Sequence, residues 1–355
     1  MLDGRGEDPR PLEGGGSAGS GAWRDERRVH LLTRGNVDGI VTAAFYLARM
    51  PDTKVSYVTS SSSAVDLLRR DLSSREFHLV DLGLTPKLAK TLNLKAKAGA
   101  RVTFIDHHQQ SPEHAGELDP SITVMLAEGA SAAAMAHEHL GLNGHTSHLA
   151  ALADYVEYCP TIRLRDAWRA HGRARIEEEA RVLDFSWRLQ VEDDRFRLLA
   201  ARRLAAGAWP SEVPDIMRRY LQVRNEGRWE RALERIRQRV TIKHDVAVLD
   251  FGRRKPSLFG FGSRALVAVA KEEECKVALL INRRRELSSV SMRGVVALDP
   301  AETSASDGSP LNLGRFVDGF TREHGVIGGG HPQSAGAKIP TRCVPLFLKE
   351  IYGYV

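Results

Sequence analysis

Short apolar segments alternate with amphipathic ones from Val29 to about Cys159, and this alternation restricts the fold more than any other feature of the chain. Segments such as VHLLT, FHLVDLG and RVTFIDHH are typical of buried strands, whereas DGIVTAAFYLARM and PKLAKTLNLKAKAG have the periodicity of helices. Repeated strand–helix–strand units predict an α/β fold in which helices cover both faces of a mostly parallel sheet. Ligands of such sheets collect at the carboxyl ends of the strands.

Changes in composition and periodicity predict three further regions. Residues 1–28 are rich in Gly, Pro and Ser and predict a disordered tail ahead of the α/β domain at 29–160. An Arg-rich helical connector is predicted at 161–243. From 244 to 355 the segments DVAVLDFG, SRALVAVAK, CKVALLINR and LSSVSMRGVVAL read as strands, and LNLGRFVDGFTREHG reads as a helix. They predict a second, smaller α/β domain.

Polar side chains stand at the ends of several predicted strands and on one predicted helix. They occur in TRGNVDGI, LVDLGL, FIDHHQQS and LADYVEY. Each carboxylate alone is typical of a helix cap or a turn, but their recurrence at successive strand ends favours a metal hydrolase. Carboxylates with one or two imidazoles suit Mn²⁺ or Mg²⁺ better than Zn²⁺, which prefers thiolates and His-rich tetrahedral sites. The residues are Asn36, Asp38, Asp81, Asp106, His107, His108 and Asp154.

Composition argues against several other classes of protein. The cysteines Cys159, Cys275 and Cys343 are scattered, so they predict reduced thiols and neither a disulfide framework nor a thiolate metal site. No apolar run approaches the roughly 18 residues that a membrane span requires, and no signal peptide is evident. These observations predict a cytoplasmic protein without a membrane partner.

The formal net charge of +6 is concentrated in the connector, where twenty basic residues stand against thirteen acidic ones between Arg163 and Lys243. Arginines mixed with tryptophans could hold phosphates and stack bases along a single-stranded nucleic acid. The alternative is a pair of amphipathic helices with solvated arginines and core tryptophans, which the spacing in RWERALERIRQRV favours. The tryptophans are Trp168, Trp187, Trp209 and Trp229.

The order of these motifs resembles that of the DHH phosphoesterase superfamily, which includes RecJ-like exonucleases, oligoribonucleases, cyclic-dinucleotide phosphodiesterases and exopolyphosphatase-like proteins. The resemblance resumes in SVSMRG and GVIGGGHPQSAGAKIP, which look like the DHH-associated C-terminal domain. It implies a cleft between two domains, with metals on one wall and substrate-binding groups on the other. We expect the glycines to let the backbone pass close to a ligand and direct its N–H groups at a phosphate, next to a cationic arginine and a histidine. The alternative is a tight glycine-rich turn with a solvent-exposed histidine. The implied substrate-binding residues are Arg293, Gly328, Gly329, Gly330 and His331.

The first motif departs from the family's pattern. Two-metal members look like H-x-D-x-D-G there, whereas this chain has Arg34 for the His and Asn36 for the first Asp. A neutral amide is a weak ligand of a hard ion and a guanidinium is none, so we expect one tightly bound Mn²⁺ or Mg²⁺ and a second ion that binds weakly or not at all. The ligands that the resemblance implies for the first ion are Asp38, Asp81, His107 and Asp154.

Two functions follow from this pattern. In the first, a metal-activated water attacks phosphorus while Arg34, Asp106 and His108 form the catalytic set and Arg293 and His331 hold the far end of the substrate. In the second, hydrolysis has been lost and the cleft binds nucleic acid or protein. The retained acidic and histidine residues favour the enzyme. The expected substrate is a dinucleotide or a short oligonucleotide; polyphosphate, another phosphate ester and a homo-oligomeric state are also compatible with the sequence.

Overall fold

The computed structural model describes most of the chain, including both predicted α/β regions and the connector. The predicted tail at 1–28 lies outside the described residues. The described residues are 29–108, 111–142, 144–252, 257–295, 305 and 309–355.

Five parallel strands form the first sheet, in agreement with the predicted α/β fold. Numbered along the chain, the second strand lies at one edge beside the first, and the third, fourth and fifth strands follow in that order. The three inner strands are buried on both faces, which is why they read as continuous apolar runs in the sequence. The sequence did not predict the fifth, a short and partly exposed edge strand. The strands are β1 (Val29–Arg34), β2 (Lys54–Val58), β3 (Glu76–Val80), β4 (Arg101–Asp106) and β5 (Thr123–Leu126).

Six helices accompany this sheet in the described part of the chain. Four of them begin after a side chain that accepts a hydrogen bond from the first turn, and these N-caps are Asn36, Ser60, Thr85 and Ser131. Side-chain caps satisfy backbone N–H groups that the helix itself leaves unpaired. The helices are α1 (Val37–Arg49), α2 (Ser61–Arg70), α3 (Pro86–Lys97), α4 (Ser111–Ala115), α5 (Ala132–His139) and α6 (Ser147–Val156).

The connector is helical, and its tryptophans contact the protein interior. Trp209 is buried, and the other three tryptophans of the connector are partly buried against the largest apolar core. That core joins α1, α5 and α6 to the connector and to the first helix of the second α/β region. The packing alternative for the tryptophans therefore agrees with the structure. The connector helices are α7 (Ile162–His171), α8 (Arg173–Arg188), α9 (Asp194–Leu204), α10 (Pro214–Asn225) and α11 (Arg228–Arg237).

A six-stranded mixed sheet forms the second α/β region. It begins at Thr241 with β6 (Thr241–Lys243), and its order is β10, β11, β9, β8, β7 and β6, with only the pair of β7 and β8 parallel. The other strands are β7 (Val246–Asp250), β8 (Val277–Asn282), β9 (Leu287–Gly294), β10 (Ile327–His331) and β11 (Ser334–Pro340). Its helices are α12 (Gly262–Glu272), α13 (Leu313–His324) and α14 (Val344–Tyr354).

One sequence prediction for this region is wrong. SRALVAVAK forms helix α12 rather than a strand, because its buried residues, Ala265, Leu266, Val269 and Ala270, recur at helical spacing. The glycine-rich segment forms strand β10, so the structure does not support the alternative of a tight turn. A Cβ at Gly328 would lie 2.6 Å from the Cβ of Ala337, and one at Gly330 would collide with the Ser334 carbonyl oxygen. These glycines thus allow close contact between strands.

None of the helices in the described ranges combines the length and the apolar character that crossing a membrane requires.

The buried imidazole of His148 makes the stability of the fold sensitive to acid. The ring stacks on Trp209 with centroids 4.1 Å apart, and its Nε2 has no hydrogen-bond partner among the described residues. Burial lowers the pKa of His148 from 6.5 to about 4. Because the unfolded chain takes up this proton first, stability is lost as the pH falls from about 6.5 to about 4. We expect urea denaturation to show a loss of about 2 to 3 kcal/mol between pH 7.5 and 4.5 from this group.

The variant His148→Phe is the matched control, because it keeps a stacked ring but cannot be protonated. Its unfolding free energy should fall less steeply over the same pH range. An identical pH dependence in both proteins would contradict this assignment.

Candidate active site

Asp81 follows β3 directly and has a backbone conformation that few side chains adopt. Its φ of 60° lies in the left-handed region, which is sparsely populated for residues other than glycine and which clusters at functional sites. Its backbone N–H donates to the Ile105 carbonyl oxygen of β4 at 3.1 Å. This conformation directs a buried carboxylate toward the end of β4, where Asp81 Oδ1 lies 3.4 Å from His107 Nε2.

His107 has one nitrogen engaged with the backbone and the other directed at acidic groups. Its Nδ1 donates to the Ala130 carbonyl oxygen at 3.0 Å, which leaves Nε2 as the atom that can bind a metal ion. Nε2 is 4.0 Å from Asp38 Oδ2. Burial acts to lower the pKa of His107, but hydrogen bonds to Asp81 and Cys159 and the nearby negative charges hold that pKa well above its ordinary value. A cation is therefore favoured at this position.

Asp106 lies behind His108 and fixes the orientation of its ring. The fully buried Asp106 carboxylate accepts hydrogen bonds from His108 Nδ1 at 2.7 Å and from the Ser111 hydroxyl. Burial acts to raise the pKa of Asp106, but the charge and hydrogen bond of His108 hold that pKa below its ordinary range. Asp106 does not line the cavity described below. Asp106 therefore contacts His108 and Ser111 rather than the cavity.

The structure brings together three of the candidate residues as a group that can hold an ion. One ligand atom from each of Asp81, His107 and His108 lies within 4.8 Å of the others. One carboxylate and two imidazoles, with a second carboxylate nearby at Asp38, fit a divalent cation such as Mn²⁺ by the chemistry of their donor atoms. The sequence placed His108 in the catalytic set, whereas its geometry also suits a ligand.

The other two implied ligands are engaged with the protein itself. Asp38 is fully buried and accepts hydrogen bonds from the backbone N–H groups of Ala132 and Ala133, at 3.1 and 2.7 Å. Burial and the charge of Asp81 raise the pKa of Asp38. Asp154 accepts from the Ser131 N–H and hydroxyl and from the Thr161 hydroxyl at 2.6 Å. Asp154 thus ties the start of α5 to the start of α7.

The first motif places one charged and one neutral side chain beside this group. Arg34 ends β1, is exposed and lines the cavity. Asn36 caps α1 with its side-chain oxygen, and its Nδ2 donates to Asp81 Oδ2 at 3.2 Å and to Glu157 Oε1 at 3.4 Å. Sequence reasoning missed Glu157. Its only signal is its place three residues after Asp154, just beyond the end of α6.

A cavity of about 1240 Å³ joins the metal-ligand group to the second α/β region. Of the residues that the resemblance implies, Arg293 of β9 and Gly329 and Gly330 of β10 line it, whereas Gly328 does not. His331 ends β10, and its side chain lies outside the described residues. Further lining residues come from α8 and α12 and include Asp184, Trp187, Arg188 and Arg264. Of these, the sequence pointed only to Trp187, as a residue that could stack bases.

Arg293 is a cation without a close acidic partner among the described residues. In that part of the chain, neither Arg293 nor Arg34 forms an ion pair with a carboxylate within 4.0 Å. Burial in the cavity wall lowers the pKa of Arg293; the charge of Glu157 opposes this shift, and that of Arg34 adds to it. Two guanidinium groups that repel each other across a cavity are suited to bind an anion between them.

Comparison with solved structures identifies the fold. A pGpG-specific phosphodiesterase of Vibrio cholerae is 15% identical and has a TM-score of 0.53, over 92% of this chain and 98% of its own. The DHH domain of a protein described as a member of a family of ribosomal proteins is 14% identical, with a TM-score of 0.62 over 92% and 85% of the two chains. An exopolyphosphatase-related protein of Bacteroides fragilis is 13% identical, with a TM-score of 0.50 over 92% of each chain.

No family model matches the chain, and a comparison with curated proteins also finds no match. The structural likeness nevertheless extends over both α/β regions. The chain shares the fold of these solved structures, one of which is a DHH domain, and this confirms the fold that the resemblance implies.

Proposed function

We propose that the protein is a metal-dependent phosphoesterase that hydrolyses phosphodiester bonds of dinucleotides or short oligonucleotides. The observation that carries this proposal is the placement of Asp81, His107 and His108 in the same cavity as Arg34 and Arg293. Groups suited to bind a divalent ion thus share a cavity with cations suited to bind phosphate.

The residues around the group fit a hydrolytic role. A Mn²⁺ or Mg²⁺ ion held by Asp81, His107 and His108 would lower the pKa of a bound water enough to make it a nucleophile near neutral pH. The Ala130 carbonyl oxygen and Asp106 fix the two imidazole rings, so that their Nε2 atoms require little reorganisation. Asp38 adds negative charge that favours a cation at His107.

Arg34 and Arg293 would act on the phosphate. A planar guanidinium can donate two parallel hydrogen bonds to phosphate oxygens, and its charge stabilises the negative charge that develops on them during phosphoryl transfer. Since the charge of Arg34 lowers the pKa of Arg293, an anion bound between them would relieve their repulsion. The two arginines therefore support a substrate with a phosphodiester or a terminal phosphate.

The structural neighbours guide the choice of the first substrate. One of them is named as a phosphodiesterase specific for pGpG, a linear dinucleotide with a 5′-phosphate. The cavity of about 1240 Å³ exceeds the range of about 300 to 1,000 Å³ that is usual for small-molecule sites, so it can admit a dinucleotide. This supports a dinucleotide as the first compound to test.

The decisive assay is nucleotide release from labelled pGpG, pApA and a short single-stranded RNA, in Mn²⁺ and again in EDTA. We expect turnover that requires Mn²⁺ and is fastest on the shortest substrates. Binding of these substrates without turnover in Mn²⁺ would contradict the enzyme and favour a nucleic-acid-binding module. Phosphate release from polyphosphate alone would favour an exopolyphosphatase-like activity.

The connector arginines allow a separate test of binding to longer nucleic acid. Arg235 donates to the Ser257 carbonyl oxygen and Arg237 pairs with Glu272 at 2.9 Å, both at the surface. If a single strand follows α11, changing Arg235, Arg237 and Arg239 to Glu should weaken binding of a long single-stranded RNA about tenfold at low salt, because phosphate contacts are lost. Fluorescence anisotropy measures the binding, and turnover of a dinucleotide should not change. An equal loss on both substrates would contradict this binding surface.

A further inference from the structure

The amide of Asn36 has an orientation that its hydrogen bonds determine. Its Oδ1 accepts from the Gly39 backbone N–H at 2.9 Å. A backbone N–H can only donate, so the side-chain oxygen must face Gly39 and the NH₂ group must face the opposite way. The assignment of oxygen and nitrogen in this amide is therefore not arbitrary.

Two carboxylates from different parts of the chain converge on that NH₂ group. Asp81 follows β3 and Glu157 follows α6, and their oxygens lie 3.2 and 3.4 Å from Asn36 Nδ2. Both residues line the cavity. Carboxylates that approach one point need a cation or a pair of donors between them. The two N–H donors of one amide meet this need without a cation.

We propose that the Asn36 amide takes the place of a second metal ion in this cavity, with Glu157 as the carboxylate that holds it there. The inference rests on the proposed function, since it concerns the number of ions that a metal-dependent enzyme would use. Asp81 Oδ2 is bound to Asn36, whereas Asp81 Oδ1 faces His107 at 3.4 Å. Asn36 is then a positioning residue, because it occupies Oδ2 of Asp81 and leaves Oδ1 to bind a single ion.

The charge of the first motif agrees with this substitution. Relative to the H-x-D pattern, an arginine in place of a neutral histidine adds one positive charge, and an asparagine in place of an aspartate removes one negative charge. Together they make the fixed charge two units more positive, which is the charge of one divalent cation. Arg34 and Asn36 thus replace, with fixed side chains, the positive charge that a second ion would bring.

The test is the number of Mn²⁺ ions bound, measured by equilibrium dialysis and by electron paramagnetic resonance. The wild-type protein should bind one ion with the spectrum of isolated Mn²⁺. The double variant Arg34→His/Asn36→Asp should bind two ions with an exchange-coupled spectrum. Aspartate caps a helix as well as asparagine does, so α1 should remain intact, which circular dichroism checks.

Two further variants separate this role from general electrostatics. Adding Glu157→Gln to the double variant should weaken the second ion about 10- to 100-fold, because one of its carboxylates is lost. Asn312→Asp is the matched control: Asn312 also caps a helix and lines the same cavity, but within the described ranges it is not bonded to two carboxylate side chains. This control should still bind one ion.

The outcomes distinguish the inference from the function on which it rests. A wild-type protein that binds two coupled ions would overturn the inference and leave the proposed phosphoesterase in place. A double variant that still binds one ion would also overturn it. A wild-type protein that binds no Mn²⁺ would overturn both.

Discussion

Replacing Asp81 by asparagine should abolish Mn²⁺ binding and lower kcat about 10³-fold, with the fold preserved. The left-handed conformation of Asp81, with φ at 60°, is tolerated by asparagine far better than by alanine, so this variant separates loss of charge from loss of structure. The amide removes the negative charge that faces His107 at 3.4 Å. A metal ion supplies several kcal/mol of transition-state stabilisation, and each 1.36 kcal/mol is about tenfold in rate.

The measurements for this variant are a calorimetric Mn²⁺ titration, kcat on a 5′-phosphorylated dinucleotide and a thermal melt. Asp66→Asn is the matched control, since Asp66 is an exposed carboxylate on α2 and does not line the cavity. It should match the wild-type protein in all three. If Asp81→Asn keeps wild-type metal affinity, the ion must bind elsewhere.

The position of the candidate site could be predicted because parallel strands end at a common edge. Arg34, Asp81 and His107 stand at or just after the ends of β1, β3 and β4, which are neighbours in the sheet. Predicting the position of each side chain therefore required only a correct strand assignment. A parallel sheet that contains these strands is enough to predict that the three residues lie close together.

Glu157 could not be predicted in this way. It follows α6, and its approach to Asn36 depends on how that helix packs against α1, α5 and α8, which is a tertiary effect. The positions of the lining residues from α8 and α12 depend on tertiary packing in the same way. One of them, Asp184, pairs with Arg264 at 2.8 Å and so links these two helices across 80 residues of sequence.

The wrong assignment of α12 and the failure to recognise strand β10 both have local causes. A short apolar run with β-branched residues, as in α12, is compatible with a strand or a buried helix, and only a longer pattern separates them. In β10 the glycines have no side chains whose alternation could show a strand. Glycine is nevertheless suited to the middle of this strand, because a Cβ at Gly330 would collide with the backbone of β11.

Replacing Arg293 by methionine should lower kcat/KM on a 5′-phosphorylated dinucleotide about 10²-fold, mainly through KM, without loss of stability. Methionine keeps the unbranched stem and removes the charge. The charge has no carboxylate within ion-pair distance among the described residues, and burial in the cavity wall lowers its pKa. A desolvated, unpaired charge destabilises the folded state, so its removal should leave the free energy of unfolding unchanged or raise it by about 1 kcal/mol.

The combination of lost activity and retained stability is what separates a substrate-binding arginine from a structural one. Arg342→Met, at an exposed position outside the cavity, should change neither kcat/KM nor the unfolding free energy. The effect of Arg293→Met should also shrink on a substrate that lacks the terminal phosphate, if that phosphate is what Arg293 binds. An Arg293→Met protein that unfolds more easily and loses activity equally on both substrates would show that Arg293 supports the fold of β9 instead of binding phosphate.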